Sequence, residues 1–296
     1  MTRVRADLAA LEQSLSCPAE DIASLPRPDR EHRVRKLMEC AHVIVDDALD
    51  HHLGGRHLAG VCVLFSGGND STVLTHLMRQ RATHAIHANT GIGIEQTRQF
   101  VRDTCRAWGL PLIEKRPPTG SRYRDLVLDQ GFPGPAHHFK MYQRLKERGL
   151  RQARAELVDN GRRQRVVFLA GRRREESRRR QEIPLHEREG SVIWASPLAL
   201  WTKVDLNTYR RMFEVPTNPV ADLLHMSGEC LCGAFAKPGE LDEIRFWFPD
   251  VAAEIENLAA EARQSGVPPE RCRWGWGASR NRRRVRSGPL CQTCAG

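Results

Sequence analysis

The five-residue apolar run Val61-Cys62-Val63-Leu64-Phe65 stops abruptly at Ser66-Gly67-Gly68-Asn69-Asp70-Ser71-Thr72, and helical apolar spacing at Val73, Leu74, Leu77 and Met78 begins at once. So short an apolar run reads as a strand buried on both faces, and such strands belong to parallel sheets. A glycine pair between buried strand and helix lets the backbone approach an anion, with loop and helix amino-terminal amides pointing at it. Ser66, Ser71 and Thr72 add hydroxyl donors, and Asp70 can orient the turn or help hold a metal. A Gly-Gly dipeptide alone fits a ligand-free strand-to-helix turn better than a phosphate site. The whole six-residue loop between a strand and a helix favours phosphate binding.

The same strand–helix rhythm continues along the chain. Ala85–Ala88, Pro111–Glu114, Val166–Ala170 and Val192–Ala195 read as further strands, and Thr72–Arg81 and Glu95–Trp108 as helices. Long helices are expected over 137–160 and, after a change of character at Pro219, over 241–264. The expected fold class is α/β, a twisted parallel sheet with helices on both faces. Three regions follow: a helical lead over 1–57, a nucleotide-binding domain over 58–220, and a cysteine-rich cap over 221–296.

The amino-terminal residues lack the apolar stretch of a secretory signal, and no run is long enough to cross a bilayer, so the expected location is cytoplasmic without membrane attachment. The net charge of +10 reflects 46 Lys plus Arg against 36 Asp plus Glu, which admits a nucleic-acid partner. Cys17, Cys40, Cys62 and Cys105 lie in apolar or helical surroundings and read as small buried hydrophobes.

Five segments in order carry a family resemblance. Phe65 to Thr72 resembles the PP-loop of ATP pyrophosphatases, in their phosphoadenosine-phosphosulfate (PAPS) reductase-like branch. Asn89-Thr90-Gly91, with Glu95 and Thr97, resembles that branch's segment after the second strand. Gly171-x-Arg173-x-x-Glu176-Ser177-x-x-Arg180 matches its arginine motif position for position. Ser196-Pro197-Leu198, Trp201-Thr202, Asp205 and Tyr209 are similar to the next segment, and Asn218-Pro219 through Ser227-Gly228-Glu229-Cys230-Leu231-Cys232 to its cysteine turn. The resemblance spans residues 60–240 and implies a Rossmann-like adenine nucleotide alpha-hydrolase fold.

It also implies roles. Asp70, Arg173 and Arg180 become the expected catalytic residues. Ser66, Gly67, Gly68, Asn69, Ser71, Thr72, Thr90, Gly91 and Gly171 become the nucleotide contacts, for ATP with Mg2+. Arg173 and Arg180 share a face if their segment is helical, whereas Arg172, Arg174, Arg178 and Arg179 read as a solvated face. His137 and His138 fit either a substrate mouth or a surface before a helix.

Two chemistries diverge within the resembled group. Pyrophosphatases split ATP into AMP and pyrophosphate, adenylating an oxygen that sulfur or nitrogen then displaces; reductases release sulfite from a sulfonucleotide through a cysteine. The intact loop favours the first. The reductases' Glu-Cys-Gly-Leu-His nucleophile segment is absent, and Glu229-Cys230-Leu231-Cys232 echoes it only in part and elsewhere. Asn69 stands where many ATP-using relatives carry Lys, which shifts neutralisation onto Mg2+ or Arg173. The resemblance implies sulfur transfer from a donor such as a cysteine desulfurase or thiol carrier, with DNA or tRNA as acceptor. A reductase is the alternative, and a non-catalytic nucleotide- or nucleic-acid-binding subunit a third.

Cys230, Cys232, Cys291 and Cys294 form two short-spaced pairs, giving four thiolates for one metal. A zinc ion and a 4Fe-4S cluster share that ligand count; the resemblance favours the cluster. Cys272 reads as a further ligand, a sulfur carrier or a buried thiol.

Overall fold

The structure, a computed structural model, describes residues 8–277. Three helices lead: α1 (Leu8–Leu15), α2 (Ala19–Ser24) and α3 (Arg27–His52). Strand β1 (His57–Leu64), helix α4 (Asn69–Met78), β2 (His84–Ala88), α5 (Glu95–Ala107) and β3 (Leu112–Lys115) follow. Next come α6 (Tyr123–Gln130), α7 (His138–Tyr142), a π turn over Gln143–Glu147, and α8 (Arg148–Leu157). Strands β4 (Gln164–Leu169), β5 (His186–Glu189) and β6 (Val192–Ala195) lead to α9 (Lys203–Met212), α10 (Pro219–Leu224), α11 (Glu240–Trp247) and α12 (Pro249–Gln264).

The six strands form one sheet in the order β3-β2-β1-β4-β6-β5, parallel throughout except for the antiparallel β5–β6 pair. The fold is the expected α/β class. Side chains of β1 alternate between two cores, as the strand period of two requires. Val61, Val63 and Phe65 pack with Leu37 and Ile44 of α3, Leu74 of α4 and Val101 of α5. Cys62 and Leu64 face the other way, toward Leu150 and Ala153 of α8. Each such fully buried aliphatic side chain contributes about 1.5–3 kcal/mol.

Strand β5 was not expected. Its sequence, His186-Glu187-Arg188-Glu189, has no apolar face, because it is an edge strand that natural sheets keep charged. The long helix over 241–264 is instead two helices broken at Phe248, because Pro249 has no N–H to continue α11 and starts α12 at a position that needs none. The 137–160 helix is interrupted by the π turn.

The expected cap does not pack by itself: α10, α11, α12 and Trp274 share one apolar core with α6, Ile92 and Ile94 of the preceding region. Two indoles fasten it: Trp274 Nε1 donates to Leu231 O at 2.7 Å and Trp276 Nε1 to Phe132 O at 2.7 Å. Cys272 is a buried thiol whose Sγ lies 3.3 Å from Val267 O, inside that core. Cys40, Cys62 and Cys105 are buried as expected, while Cys17 is only half-buried. Cys291 and Cys294 lie outside the described residues. No helix among the described residues is long and apolar enough to cross a membrane.

Candidate active site

The loop after β1 is held from behind. Gly67 adopts a left-handed φ of +77°, and a Cβ there would sit 2.9 Å from the Thr97 methyl. Its carbonyl accepts from Asn218 Nδ2 at 2.9 Å, and the same amide reaches Thr97 Oγ1 at 3.0 Å. A Cβ on Gly68 would lie 3.2 Å from Ser227 Cβ. The glycines are thus demanded by close packing against α5 and the 227 turn as well as by the turn itself.

Within the loop, Ser71 Oγ donates to Gly68 O at 2.9 Å and accepts from Ser66 N at 3.3 Å, and Thr72 Oγ1 donates to Gly68 O at 2.9 Å. No side chain caps the amino end of α4 at Gly68. Helix α9 differs: Thr202 and Asp205 close a reciprocal capping box there, and Arg33 of α3 pairs with the buried Asp205 at 3.0 Å. An uncapped helix start after a glycine loop offers backbone N–H groups and the positive end of the helix dipole to an anion.

Beside this opening lies the arginine motif. Gly171 packs under the first turn of α4, where its Cβ position would be 3.4 Å from Ser71 N. Arg173 Nε donates to Asp70 Oδ2 at 2.7 Å, and its Nη1 to Glu175 Oε2 at 2.7 Å. Arg180 pairs with Glu176, yet its buried Nε and the buried Oγ of Ser177 make no hydrogen bond among the described residues. Burial raises the Glu176 carboxyl above its ordinary value against the pull of Arg180.

The motif is not one helix but two 3-10 turns, Arg174–Glu176 and Arg178–Arg180, so the two-turn facing of Arg173 and Arg180 does not apply. The carboxylates around them set their positions instead. Arg172, expected on a solvated face, is buried, with Nη2 on Ser196 Oγ at 2.8 Å and Nη1 3.3 Å from Glu187. Arg174 is half-buried against Glu12 and Ile183 O, whereas Arg178 is exposed.

The cysteine turn docks on the loop after β2. Thr90 N donates to Glu229 Oε1 at 2.9 Å, Thr90 Oγ1 to Glu229 O at 2.8 Å, and Leu231 N to Ile92 O at 2.7 Å. Gly91 takes a left-handed φ of +77° in this loop, its N–H on Asn89 Oδ1 at 3.0 Å. The approach is so close that a Cβ on Gly93 would fall 2.3 Å from Glu229 O. Lys146, carried by the π turn, pairs with the buried Glu229 at 3.0 Å.

Burial opposes the Glu229 charge, but Lys146, His87 and the Thr90 amide hold its carboxyl below the usual range. A hydrogen bond with Cys232, helped by Lys146, lowers the Cys230 thiol below its ordinary value despite burial and Glu229. Thiolate is the form that binds metal and attacks electrophiles. Among the described residues this pair offers two thiol ligands, half of what a zinc ion or a cubane cluster needs.

The site therefore brings together Ser66–Thr72, Gly171, Asp70 and Arg173, while Ser227 to Cys232 bridges the loop to Thr90. Asn218, Lys146 and Glu229 are structural partners beyond the expected set. Asn218 had a sequence signal in its place before Pro219; Lys146 had none, because only the fold puts it near the cysteine turn. His138, far from being a surface residue, is buried with its ring 4.7 Å from that of Phe235.

The profile of the phosphoadenosine phosphosulfate reductase domain matches residues 60–227. The chain belongs to that family. A PAPS reductase of Photobacterium profundum is 25% identical over 212 residues, covering 69% of this chain and 76% of its own length. Sulfate adenylyltransferase subunit 2 of Rhizobium johnstonii is 28% identical over 188 residues, 53% of this chain and 56% of the relative. The crystal structure of Candida auris PAPS reductase in a phosphate complex superposes with a TM-score of 0.45 at 21% identity, covering 68% of this chain and 93% of that one. The PAPS reductase family thus holds relatives named both for sulfonucleotide reduction and for adenylyl transfer.

Proposed function

We propose that this chain is an adenylating ATP pyrophosphatase of the sulfur-transfer type, acting on a nucleic-acid acceptor. The observation that carries the reading is the amino end of α4, uncapped by a side chain, behind an intact Ser66–Thr72 loop, beside a buried Arg180 Nε that has no partner among the described residues. Both features suit a polyphosphate. A relative named for adenylyl transfer to sulfate supports ATP as the nucleotide.

In the proposed reaction an acceptor oxygen attacks the α-phosphorus of ATP. The bond from that phosphorus to the bridging oxygen breaks, and pyrophosphate leaves toward the Gly67–Gly68 loop. A sulfur nucleophile then attacks the acceptor carbon, and AMP departs with the former acceptor oxygen. Arg180 and the α4 amides meet the phosphates, Asp70 and Arg173 hold the first turn of α4 in register, and Thr90 and Gly91 border the opposite side.

Asp70, Glu175 and Glu176 outnumber Arg173 and Arg180 in this cluster, so a polyphosphate needs added positive charge to enter. Mg2+, which Asp70 would help hold, would supply that charge when bound. Cys230 and Cys232, with Cys291 and Cys294, would hold a 4Fe-4S cluster or a zinc ion. The net charge of +10, and Arg144, Arg148 and Arg151 exposed along one helical face, favour a nucleic-acid acceptor.

Sulfonucleotide reduction is the second reading, favoured by relatives that carry that name. The absent Glu-Cys-Gly-Leu-His segment stands against it. Product analysis decides: anaerobically purified protein receives ATP, adenylyl sulfate or PAPS, each with Mg2+ and a thiol reductant. AMP and pyrophosphate from ATP, increased by tRNA or DNA, support adenylation; sulfite from a sulfonucleotide with ATP untouched overturns it.

A further inference from the structure

The carboxyl end of α3 meets the edge strand β5 in a cluster of imidazoles around one carboxylate. Asp47 Oδ2 lies 2.7 Å from His186 Nε2 and 3.2 Å from His51 Nδ1. One ligand atom from each of Asp47, His51 and His186 falls within 4.8 Å of the others. We propose that Asp47, His51 and His186 bind one divalent transition-metal ion of the zinc class.

The chemistry of the donors selects the metal. Two imidazoles and one carboxylate suit zinc, cobalt or nickel, whereas magnesium and calcium take oxygen ligands. Around a tetrahedral zinc, neighbouring ligand atoms stand roughly 3.3 Å apart, so the His51–Asp47 edge already matches and the shorter His186–Asp47 edge opens by about 0.6 Å as the ion replaces the shared proton. His51 has 51% of its side chain exposed, against 16% for His186, which leaves the outer side open for a water as fourth ligand.

Two neighbouring features favour a cation. His52 Nε2 lies 2.9 Å from His186 Nδ1. A ligating histidine is usually oriented by such a partner on its other nitrogen, which fixes the tautomer that turns a lone pair to the metal. His51 and His52 also occupy the last turn of the 26-residue helix α3, where the negative end of the helix dipole attracts positive charge. Binding at His51 Nδ1 replaces its 2.9 Å hydrogen bond to Asp47 O, and the ring proton moves to Nε2.

The ion would tie the long amino-terminal helix to the exposed edge of the sheet, across 139 residues of sequence. Without metal the same groups form a hydrogen-bonded chain from Asp47 through His186 to His52. Titration of the full-length protein with Co2+, and separately with Zn2+, distinguishes the two. Cobalt at this nitrogen–oxygen site gives visible ligand-field bands without the near-ultraviolet charge transfer of thiolate ligation, so the cysteines are read separately.

We expect one such equivalent in the wild-type chain and in a Cys230→Ser/Cys232→Ser variant. More than a tenfold loss of affinity is expected in His51→Ala and in His186→Ala, and about 10–100-fold in His52→Ala. In the Cys230→Ser/Cys232→Ser background, Zn2+ should raise the melting temperature when His51 is present and not when His51→Ala is added. His51 is half-exposed, so that variant folds and decides the question if His186→Ala does not. Unchanged affinity in His51→Ala, or cobalt spectra showing thiolate ligation alone, would overturn the proposal.

Discussion

Arg173 donates through Nε to Asp70 at 2.7 Å, joining the residue after the β4–Gly171 turn to the first turn of α4. The pair couples two of the five segments that carry the family resemblance, and it leaves the Asp70 side chain 27% exposed. Removing either partner should lower AMP formation from ATP by about 100-fold, the scale of misplacing a reacting phosphate by roughly 1 Å when the first turn of α4 loses its register. Asp70→Ala, Arg173→Ala and the double variant, compared by steady-state AMP release, check this. Strong non-additivity is expected if the two act as one unit, and full activity in both single variants would remove the assignment.

Gly93 tests the docking of the cysteine turn. A methyl group there meets the backbone oxygen of Glu229, which is fixed on Thr90 and cannot swing aside. Gly93→Ala should cost about 1–3 kcal/mol of stability, read from the shift in the urea midpoint. The reaction of Cys230 with an alkylating reagent should change in the same variant, because its turn is displaced.

Stability should fall as the solution is acidified. His76 and His138 are both buried, and burial above all lowers each from 6.5 to about 4. A histidine held neutral in the fold contributes stability present above pH 6.5, which is lost as the pH falls toward about 4. Melting temperatures measured across that window should drop, and His76→Gln should flatten the drop. His76 Nδ1 lies 2.8 Å from the Tyr209 hydroxyl, so glutamine keeps an acceptor for that proton.

The cysteine pair predicts metal content. Cys230→Ser and Cys232→Ser should each strip iron or zinc from anaerobically prepared protein, measured by elemental analysis and by the visible absorbance of an iron–sulfur cluster. Iron and inorganic sulfide in equal amounts would identify a cluster; zinc present in wild type and lost in both variants would identify a mononuclear site at the pair. Undiminished metal in both variants would exclude the pair as ligands.

What could be read from the chain beforehand follows from how local each signal is. The alternation of Val61, Val63 and Phe65 against Cys62 and Leu64 is written in five residues, and so is the glycine turn after them. Strand β5 was illegible because an edge strand needs no apolar face. Arg172 reads as one of a solvated run, yet Glu187 of β5, which pairs with it, and Ser196 just past β6, which accepts from it, are brought alongside only by the sheet. Pro249 did carry a visible signal, and apolar periodicity on both sides of it masked the break. Candidate site residues were legible where motifs are contiguous, as at Ser66–Thr72 and Ser227–Cys232, and hidden where the partner is remote, as at Lys146, which only the fold brings to Glu229.

Adenylation at the α-phosphate is most directly tested by isotope exchange between pyrophosphate and ATP. Purified full-length protein with Mg2+, ATP, labelled pyrophosphate and a nucleic-acid acceptor should move label into ATP, and Arg180→Ala or removal of Mg2+ should abolish it. Absence of exchange with every acceptor, together with sulfite release from PAPS, would contradict adenylation and establish the reductase chemistry instead.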